Sequence, residues 1–206
     1  MFGWLTGPKS MEYTGLDFSG RGDLAMISKG LVEAILRRYA LSPLGIHGLV
    51  HWARVLENGR TLARRTGARI EVVELFSVFH DARRVNDGWD RKHGHRGAEL
   101  AAEVRGVHFR LSDGDFDLLY RACRDHTDGA TEADVTVQTC WDADRLDLGR
   151  VRIDLDPRYL CTEAARDPAV MAWADRRSRQ GFVPDLIRQE WDLAPGKKRG
   201  DSWDPA

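Results

Sequence analysis

The sequence predicts an all-α fold, and two features of the chain support this prediction. In one segment after another, apolar residues recur at the three- and four-residue spacing of amphipathic helices. Glycine or a Ser-Pro or Asp-Pro pair punctuates these segments, at positions where helices commonly end or begin. The chain has 206 residues, which is enough for one domain with a sizeable core and short for two.

The composition bounds the class of protein. Hydrophobic residues make up 42% and charged residues 31%, which is ordinary for a soluble globular protein. The net charge of -1 argues neither for nor against nucleic acid by itself, and we expect no nucleic-acid partner. Cys123, Cys140 and Cys161 lie far apart without CxxC spacing, which excludes a zinc ribbon and a disulfide framework and suits a reducing cytoplasm. No stretch approaches the ~20 apolar residues of a membrane span, so we expect a cytoplasmic protein.

The first third of the chain predicts a leader and two helices. Residues 1–23 are rich in glycine and polar residues and are interpreted as a loose leader. The first helix is predicted from Leu24 to Tyr39. The second follows Ser42-Pro43 and runs from about Leu44 to Arg65, with Ile46 on its apolar face and Gly67 closing it.

A more apolar segment follows, from Ile70 to Ala82. It is apolar nearly all round, which is typical of a central, buried helix. Its β-branched residues leave a strand as an alternative, but its length favours a helix. A charged loop is predicted from Arg83 to Lys92, followed by a helix that ends before Gly106.

The last third of the chain predicts further helices. Ser112 with Asp115 resembles a capping box that opens a helix through about Asp125. Another helix is predicted from Ala133 to Leu148, stopped at Gly149. One or two helices are expected between Tyr159 and Trp191. We therefore divide the chain into a helical domain at 24–150, a helical C-terminal extension of the same domain at 151–194, and a flexible polar tail at 195–206.

Polar residues with metal-binding chemistry interrupt the predicted apolar faces. His80 and Asp81 end the most apolar helix, where a buried carboxylate is costly unless it is paired or bound to metal. His47 and His51 lie one turn apart in a polar stripe that Arg54 and Asn58 continue.

A further carboxylate lies on the apolar face of the helix predicted at 133–148. The helical period places Asp144 at the centre of that face and Asp142 on the opposite side, and it selects Asp144 over Asp142 and Asp147. We expect the substitution Asp142→Ala to be nearly silent, whereas Asp81→Ala should abolish metal retention and activity.

Together these residues resemble the HD-domain superfamily of metal-dependent phosphohydrolases. The order His51, His80-Asp81, Asp144 matches that of the family. His51-Trp-Ala-Arg-Val55 resembles the family's first-histidine helix, Phe79-His80-Asp81 its namesake pair, and Ala143-Asp144-Arg145-Leu146 its last-aspartate segment. The resemblance covers roughly residues 42–149 and implies an HD-type helical bundle.

Two more segments resemble HD subfamilies that bind two metal ions. His93-Gly-His-Arg-Gly97-Ala98 is similar to their third-histidine segment, and His126-Thr-Asp-Gly129 to their fourth. The resemblance implies six metal ligands, with Asp81 bridging the ions and His80, Asp81 and Asp144 at the catalytic centre: His51, His80, Asp81, His93, His126 and Asp144. Histidine and carboxylate ligands without thiolate suit one or two ions of Mn, Fe, Co, Ni or Zn.

The resemblance implies hydrolysis of a phosphate ester or pyrophosphate, with a nucleotide as the expected substrate. In such enzymes the metal lowers the pKa of a bound water and offsets phosphoryl charge. Basic residues near the proposed ligands are the expected phosphate-binding groups: Arg54, Arg83, Arg84, Lys92, Arg96 and Arg145. His47 is expected beside a ligand or the substrate rather than as a ligand.

Several alternatives stay open at this point. The core histidines and aspartates could form a hydrogen-bonded cluster without metal. His93 could be a solvated loop residue with His95 as its rival, His126 could be a helix cap, and each arginine could belong to a solvated face. The competing functions are an HD-type di-iron oxygenase that oxidises a small substrate and a non-catalytic nucleotide sensor. The C-terminal helices could pack on the domain or form a homodimer.

Overall fold

The structure of the protein is a computed structural model that describes residues 26–193. Over that range the chain forms nine α-helices and no strand, so the all-α prediction is confirmed. The predicted leader 1–23, the start of the first predicted helix at Leu24 and the predicted tail 195–206 lie outside the described residues. The helices are α1 (Lys29–Leu36), α2 (Leu49–Thr66), α3 (Ile70–Phe79), α4 (His93–Val104), α5 (Asp113–Asp125), α6 (Val135–Arg145), α7 (Glu163–Arg166), α8 (Pro168–Arg179) and α9 (Leu186–Gln189), with 3-10 helices at Leu148–Val151 and Pro157–Tyr159.

Helix α3 lies at the centre of the fold and packs against α2, α4, α5 and α6. Nearly all its side chains from Val72 to Phe79 are buried, because it is apolar nearly all round and has neighbours on every side. The prediction of a central helix rather than a strand is confirmed. Its C-terminal end, where His80 and Asp81 follow, therefore lies deep inside the molecule.

The predicted start and stop signals of three helices are confirmed. Gly67 follows α2 with a left-handed φ of 72°, and Gly106 follows α4 with a φ of 84°, both conformations that favour glycine. The Ser112 hydroxyl accepts a hydrogen bond from the backbone N–H of Asp115 and so caps α5.

The predicted start of the second helix at Leu44 is wrong, because residues 43–48 form successive turns. The backbone N–H of Gly48 donates to the carbonyl of Gly45, and that of Leu49 donates to the carbonyl of Pro43. Backbone groups that a helical turn would pair with each other are thus paired within these turns. Helix α2 therefore begins only at Leu49. Ile46 consequently lies in a turn and is 45% exposed, not on a buried helix face.

Two predictions for the last third of the chain are also wrong. Helix α6 ends at Arg145 rather than Leu148, and Gly149 lies inside a 3-10 helix instead of stopping the chain. The region from Tyr159 to Trp191 contains three α-helices, not one or two. The extra boundary arises at Asp167, whose side chain caps α8 just before Pro168.

The residues after α6 contribute to the same hydrophobic core as the helices before it. Leu160, Ala165, Ala174, Ile187 and Trp191 are buried in one continuous cluster with α2, α3 and α6. This packing holds the C-terminal helices against the body of the fold. Among the helices of residues 26–193, none is both long enough and apolar enough to cross a membrane.

Candidate metal centre

Four predicted ligands meet at the end of α3. The Nε2 atoms of His51 (in α2) and His80 lie 3.0 Å apart. Asp144 Oδ1, from α6, lies 3.4 Å from His51 Nε2 and 3.8 Å from His80 Nε2. Asp81 Oδ2 lies 3.6 Å and 3.7 Å from the same two nitrogens. Four ligand atoms, from α2, α6 and the two residues that follow α3, therefore converge on one point, called position 1 below.

The other carboxylate oxygen of Asp81 faces a second group. Asp81 Oδ1 lies 3.1 Å from His93 Nε2 and 3.8 Å from His126 Nε2. The two Nε2 atoms are 2.9 Å apart. His93 is the first residue of α4, and His126 follows the last residue of α5. This second group of ligand atoms defines position 2, and Asp81 belongs to both positions.

The four histidine rings are held in one orientation by contacts at Nδ1. His51 Nδ1 lies 2.7 Å from Asp147 Oδ2. His80 Nδ1 faces the carbonyls of Phe76 and Ser77, His93 Nδ1 that of Asp90, and His126 Nδ1 that of Cys123. Because each of these partners only accepts hydrogen bonds, each Nδ1 carries a proton, and Nε2 is the nitrogen that faces the cluster and presents a lone pair when the ring is neutral. This is the arrangement found in metal-binding histidines.

Close pairs of Nε2 atoms are difficult to explain without a cation. Within each pair, two lone pairs would face each other at hydrogen-bond distance unless a proton or a metal ion lay between them. Burial lowers the pKa of His80 to about 3, against the opposing influence of Asp81 and Asp144, so this ring is neutral near pH 7. A metal ion at each position would supply positive charge between the paired Nε2 atoms.

Asp144 supplies an independent sign of a missing partner. Its Oδ1 is buried and accepts no hydrogen bond within the part of the chain that the structure describes. Burial alone would raise the pKa of this carboxyl, but contact with His51 and the nearby His80 hold the pKa well below its usual range. A charged, buried oxygen without a donor is costly, and a cation at position 1 would satisfy it.

The spacing of the candidate ligand atoms and their chemical types both fit a divalent metal ion. Ligand atoms of His51, His80 and Asp81 lie within 4.8 Å of one another, as do those of Asp81, His93 and His126. All five residues are buried. Imidazole and carboxylate donors without thiolate match the preferences of Mn, Fe, Co, Ni and Zn and do not distinguish among them.

Two glycines allow α4 to approach the cluster closely. A Cβ on Gly94 would lie 2.2 Å from the carbonyl oxygen of Cys123, and one on Gly97 would lie 2.2 Å from that of Phe79. Any side chain at these positions would push α4 away from α3 and α5. The small residues of the segment His93–Ala98 thus place His93 within reach of Asp81.

Neighbouring polar residues form hydrogen bonds with the candidate ligands and fix their positions. Asp147 contacts His51 and also accepts hydrogen bonds from Nε and Nη2 of Arg54, at 2.6 and 3.0 Å. His47 Nδ1 lies 2.8 Å from Asp81 Oδ2, which agrees with its expected position beside a ligand. Arg84 Nε donates to Asp81 Oδ1 at 2.9 Å. Sequence reasoning missed Asp147, because its partners lie more than 90 positions away and no local pattern marks it.

Most of the predicted phosphate-binding residues make internal contacts. Arg54 pairs with Asp147, Arg84 with Asp81, and Arg96 with Asp90 and the Arg83 carbonyl. The Arg145 guanidinium donates to the carbonyls of Ala130 and Tyr159. Arg83 Nη1 makes one long contact, with the Arg38 carbonyl, and Lys92 is exposed.

Asp142 differs from its expected role. It is fully buried, and its carboxylate accepts hydrogen bonds from the backbone N–H groups of Cys161 and Thr162 and from the Thr162 hydroxyl. The face opposite Asp144 is covered by the chain leading into α7, so Asp142 has a structural role that the sequence did not predict. The expectation that Asp142→Ala leaves metal retention and activity nearly unchanged stays a prediction. Asp142 attaches the C-terminal helices and faces away from the ligands.

An open groove with a volume of about 350 Å³ lies beside position 1. Sequence reasoning also missed its basic residue Arg150, whose Nη1 lies 3.9 Å from Asp144 Oδ1. Arg150 is in the 3-10 helix that replaces the predicted end of α6, so a continuous-helix pattern could not place it. The groove is lined by Leu44, Gly45, Ile46, Val50, His51, Arg54, Arg150, Ser178, Arg179, Gly181 and Val183.

Comparison with known proteins adds no relative, since no family model, no curated protein and no solved structure matches the chain. The HD-domain resemblance therefore rests on the short motifs quoted above. Independently of that resemblance, the protein is all-helical and contains a buried His/Asp cluster that could hold metal.

Proposed function

We propose that the protein is a metal-dependent phosphohydrolase of the HD type that acts on a phosphate ester or pyrophosphate, such as that of a nucleotide. The observation that carries this proposal is the shared carboxylate of Asp81. One of its oxygens faces His51, His80 and Asp144, and the other faces His93 and His126. These residues would hold two divalent ions with Asp81 as a common ligand, and two such ions would supply the Lewis-acid chemistry that hydrolysis needs.

The charges around the cluster favour an anionic substrate. Three carboxylates, those of Asp81, Asp144 and Asp147, face it or support its ligands. Arg54, Arg84 and Arg150 lie within 4.0 Å of these carboxylates and balance them. Each divalent ion would therefore add two positive charges that no residue offsets. A phosphate group is an anion able to supply that compensation.

Each residue of the site has a distinct part in the proposed reaction. When bound, a divalent transition metal would lower the pKa of a water and polarise a phosphoryl oxygen. Asp147 keeps the proton of His51 on Nδ1 and so leaves Nε2 free as a ligand. His47 donates from Nδ1 to Asp81, and its Nε2 has no hydrogen-bond partner within residues 26–193. That nitrogen can accept a proton from water or return one to the leaving group.

The first test is the metal content of protein purified without chelator, measured by elemental mass spectrometry. We expect about two ions per chain if all six ligands bind. Asp81→Asn should reduce the content to below one ion, because this near-isosteric change weakens both positions. Asp117→Asn, at an exposed position in α5, is the matched control and should retain the wild-type content.

The second test is hydrolysis of a panel of nucleotides, sugar phosphates and pyrophosphate by the metal-loaded protein. Release of inorganic phosphate or pyrophosphate under anaerobic conditions would support the proposal and exclude a need for dioxygen. A protein that retains two ions but hydrolyses no member of the panel would contradict it. Two irons together with substrate-dependent oxygen consumption would instead favour the oxygenase.

A further inference from the structure

The groove beside position 1 contains three arginines that differ in how their charges are balanced. Arg54 is paired with both carboxylate oxygens of Asp147. Arg179 is paired with Asp175 and Asp154. The charges of Arg54 and Arg179 are therefore already neutralised by close carboxylates. These two arginines give an incoming anion little net attraction.

Arg150 is held differently. Its Nε donates to the carbonyl of Ile46 at 3.0 Å, and its Nη1 donates to the carbonyl of Asp147 at 3.1 Å. The nearest carboxylate oxygens, on Asp144 and Asp147, lie 3.9 Å away, beyond hydrogen-bond distance. Its Nη2 donates to no residue that the structure describes. Two neutral carbonyls thus fix the guanidinium next to a ligand atom of position 1 and leave Nη2 available to donate a hydrogen bond to an incoming anion.

Other residues that line the groove are apolar and partly exposed. Leu44 and Ile46 come from the turns before α2, and Val183 from the segment after α8. Leu44 is 50% exposed and Val183 45%. Large aliphatic side chains beside a fixed cation are suited to a ligand that has one anionic end and one compact apolar part.

We infer that this groove is the substrate-binding site, that Arg150 binds the phosphate, and that the wall of Leu44, Ile46 and Val183 receives the organic part of a small phosphate monoester. The inference rests on the proposed function and specifies its substrate class. The groove volume of about 350 Å³ lies near the lower end of ligand pockets, roughly 300–1,000 Å³. A single arginine without a hydrogen-bonded carboxylate matches one phosphate group rather than a polyphosphate chain.

The anionic end is tested by calorimetric titration of metal-loaded protein with inorganic phosphate. Arg150→Met should weaken phosphate binding about ten- to hundredfold, as expected for loss of charged hydrogen bonds, with metal content unchanged. Arg150→Lys should recover part of the affinity. Arg110→Met, at an exposed position outside the groove, should bind as the wild type does. Wild-type affinity in Arg150→Met would overturn the inference.

A pair of substitutions at Ile46 separates electrostatic effects from general damage to the fold. The side chain is exposed on the groove wall, so Ile46→Glu and Ile46→Lys should both fold. The glutamate should weaken phosphate binding, whereas the lysine should strengthen it, because the two charges act oppositely on the same anion. Movement of both affinities in the same direction would contradict binding in this groove.

The apolar wall is tested with two phosphonates that cannot be hydrolysed, methylphosphonate and phenylphosphonate. Phenylphosphonate should bind more tightly to the wild type. Leu44→Ser should reduce that advantage roughly fivefold while leaving methylphosphonate unchanged. Equal binding of the two phosphonates would remove the apolar part of the inference.

These measurements separate the inference from the proposed function. If the phosphonates bind as expected but no phosphate ester is hydrolysed, the groove is a binding site and the hydrolase proposal fails. If esters are hydrolysed while substitutions at Arg150, Ile46 and Leu44 change neither phosphate binding nor KM, the groove assignment fails and the hydrolase proposal stands.

Discussion

Some residues at the cluster face the ligand positions, and others support the fold nearby. Two aspartates of α6 show the difference. Asp144 directs an unpartnered buried oxygen toward His51 and His80. Asp142, two residues earlier, uses its carboxylate to hold the backbone of Cys161 and Thr162. Both carboxylates lie in a largely apolar interior, but Asp142 is hydrogen-bonded to the backbone whereas Asp144 Oδ1 has no donor among the described residues, so their removal should affect different properties.

Substitution of these two aspartates should separate metal binding from stability. Asp144→Ala should remove the ion at position 1 and reduce metal content by about one ion per chain. Asp142→Ala should keep the metal but lower the free energy of unfolding by about 3 kcal/mol, because buried donors lose a charged acceptor. Elemental mass spectrometry and denaturant unfolding measure the two effects. Loss of metal in Asp142→Ala together with retention in Asp144→Ala would reverse these roles.

The neutral His80 ring predicts how the metal-free protein responds to acid. The folded pKa is about 3, against an ordinary value of 6.5. At pH values between these two pKa values, the unfolded chain binds a proton on His80 that the folded chain does not bind. The free energy of unfolding therefore decreases as pH falls from about 6.5 toward 3. We expect the free energy of unfolding in chelator, measured by urea titration, to decrease across this window.

The contribution of His80 to this pH dependence is obtained by comparing the wild type with His80→Leu, in which the other titrating groups remain. His126 has a raised pKa despite its burial, because contact with Asp81 outweighs that burial, and its effect on stability has the opposite sign. The variant should show a weaker decrease in stability over the same pH window than the wild type. An identical pH dependence in both proteins would show that His80 does not titrate as the structure implies.

At the scale of helices, sequence periodicity predicted the fold class and the central position of α3, but it failed where helices begin or end in turns. Glycines at 45 and 48 allowed the turns that delay α2, and a 3-10 helix replaced the end predicted for α6. Residues marked by short motifs, such as His80-Asp81, could be predicted as part of a site. Asp147 and Arg150 could not, because their partners come from distant segments.

Helix α4 shows how packing between elements controls the cluster. Gly97→Ala would place a Cβ 2.2 Å from the Phe79 carbonyl oxygen, so α4 must move away from α3. This overpacking should cost about 1–3 kcal/mol and withdraw His93 from Asp81. The expected result is loss of the ion at position 2 with retention at position 1, measured as a decrease of about one metal ion per chain.

A matched glycine in α5 provides the control for this substitution. At Gly114, no atom beyond the adjacent residues and the backbone of α5 itself lies within 4 Å of the place that an alanine Cβ would occupy, so Gly114→Ala should leave metal content unchanged. It should be neutral or stabilising by about 0.5–1 kcal/mol, because alanine favours a helix more than glycine does. Full metal retention in Gly97→Ala would show that α4 tolerates the shift and that close packing at residue 97 is unnecessary.

At the scale of the whole molecule, the C-terminal helices and the cluster depend on one core. Trp191 is completely buried at the far end of the described chain, and Arg60 joins α2 to Glu190 through two hydrogen bonds. Asp142 and Arg54 connect the same C-terminal region to α6 and α2. A helical region joined by both apolar burial and hydrogen bonds should unfold together with the helices that carry the ligands.

Trp191→Ala tests this coupling directly. Loss of the buried indole should lower the free energy of unfolding by about 3–5 kcal/mol, and the protein should still unfold in a single transition. Far-ultraviolet circular dichroism and release of bound metal should report the same midpoint, because the ligand-bearing helices lose their support when the C-terminal helices detach. Trp89→Ala, which removes an indole that is 85% exposed, should leave the midpoint unchanged. Two separate transitions in Trp191→Ala, with metal released only in the second, would instead mean that the C-terminal helices form an independently folding unit that the metal centre does not need.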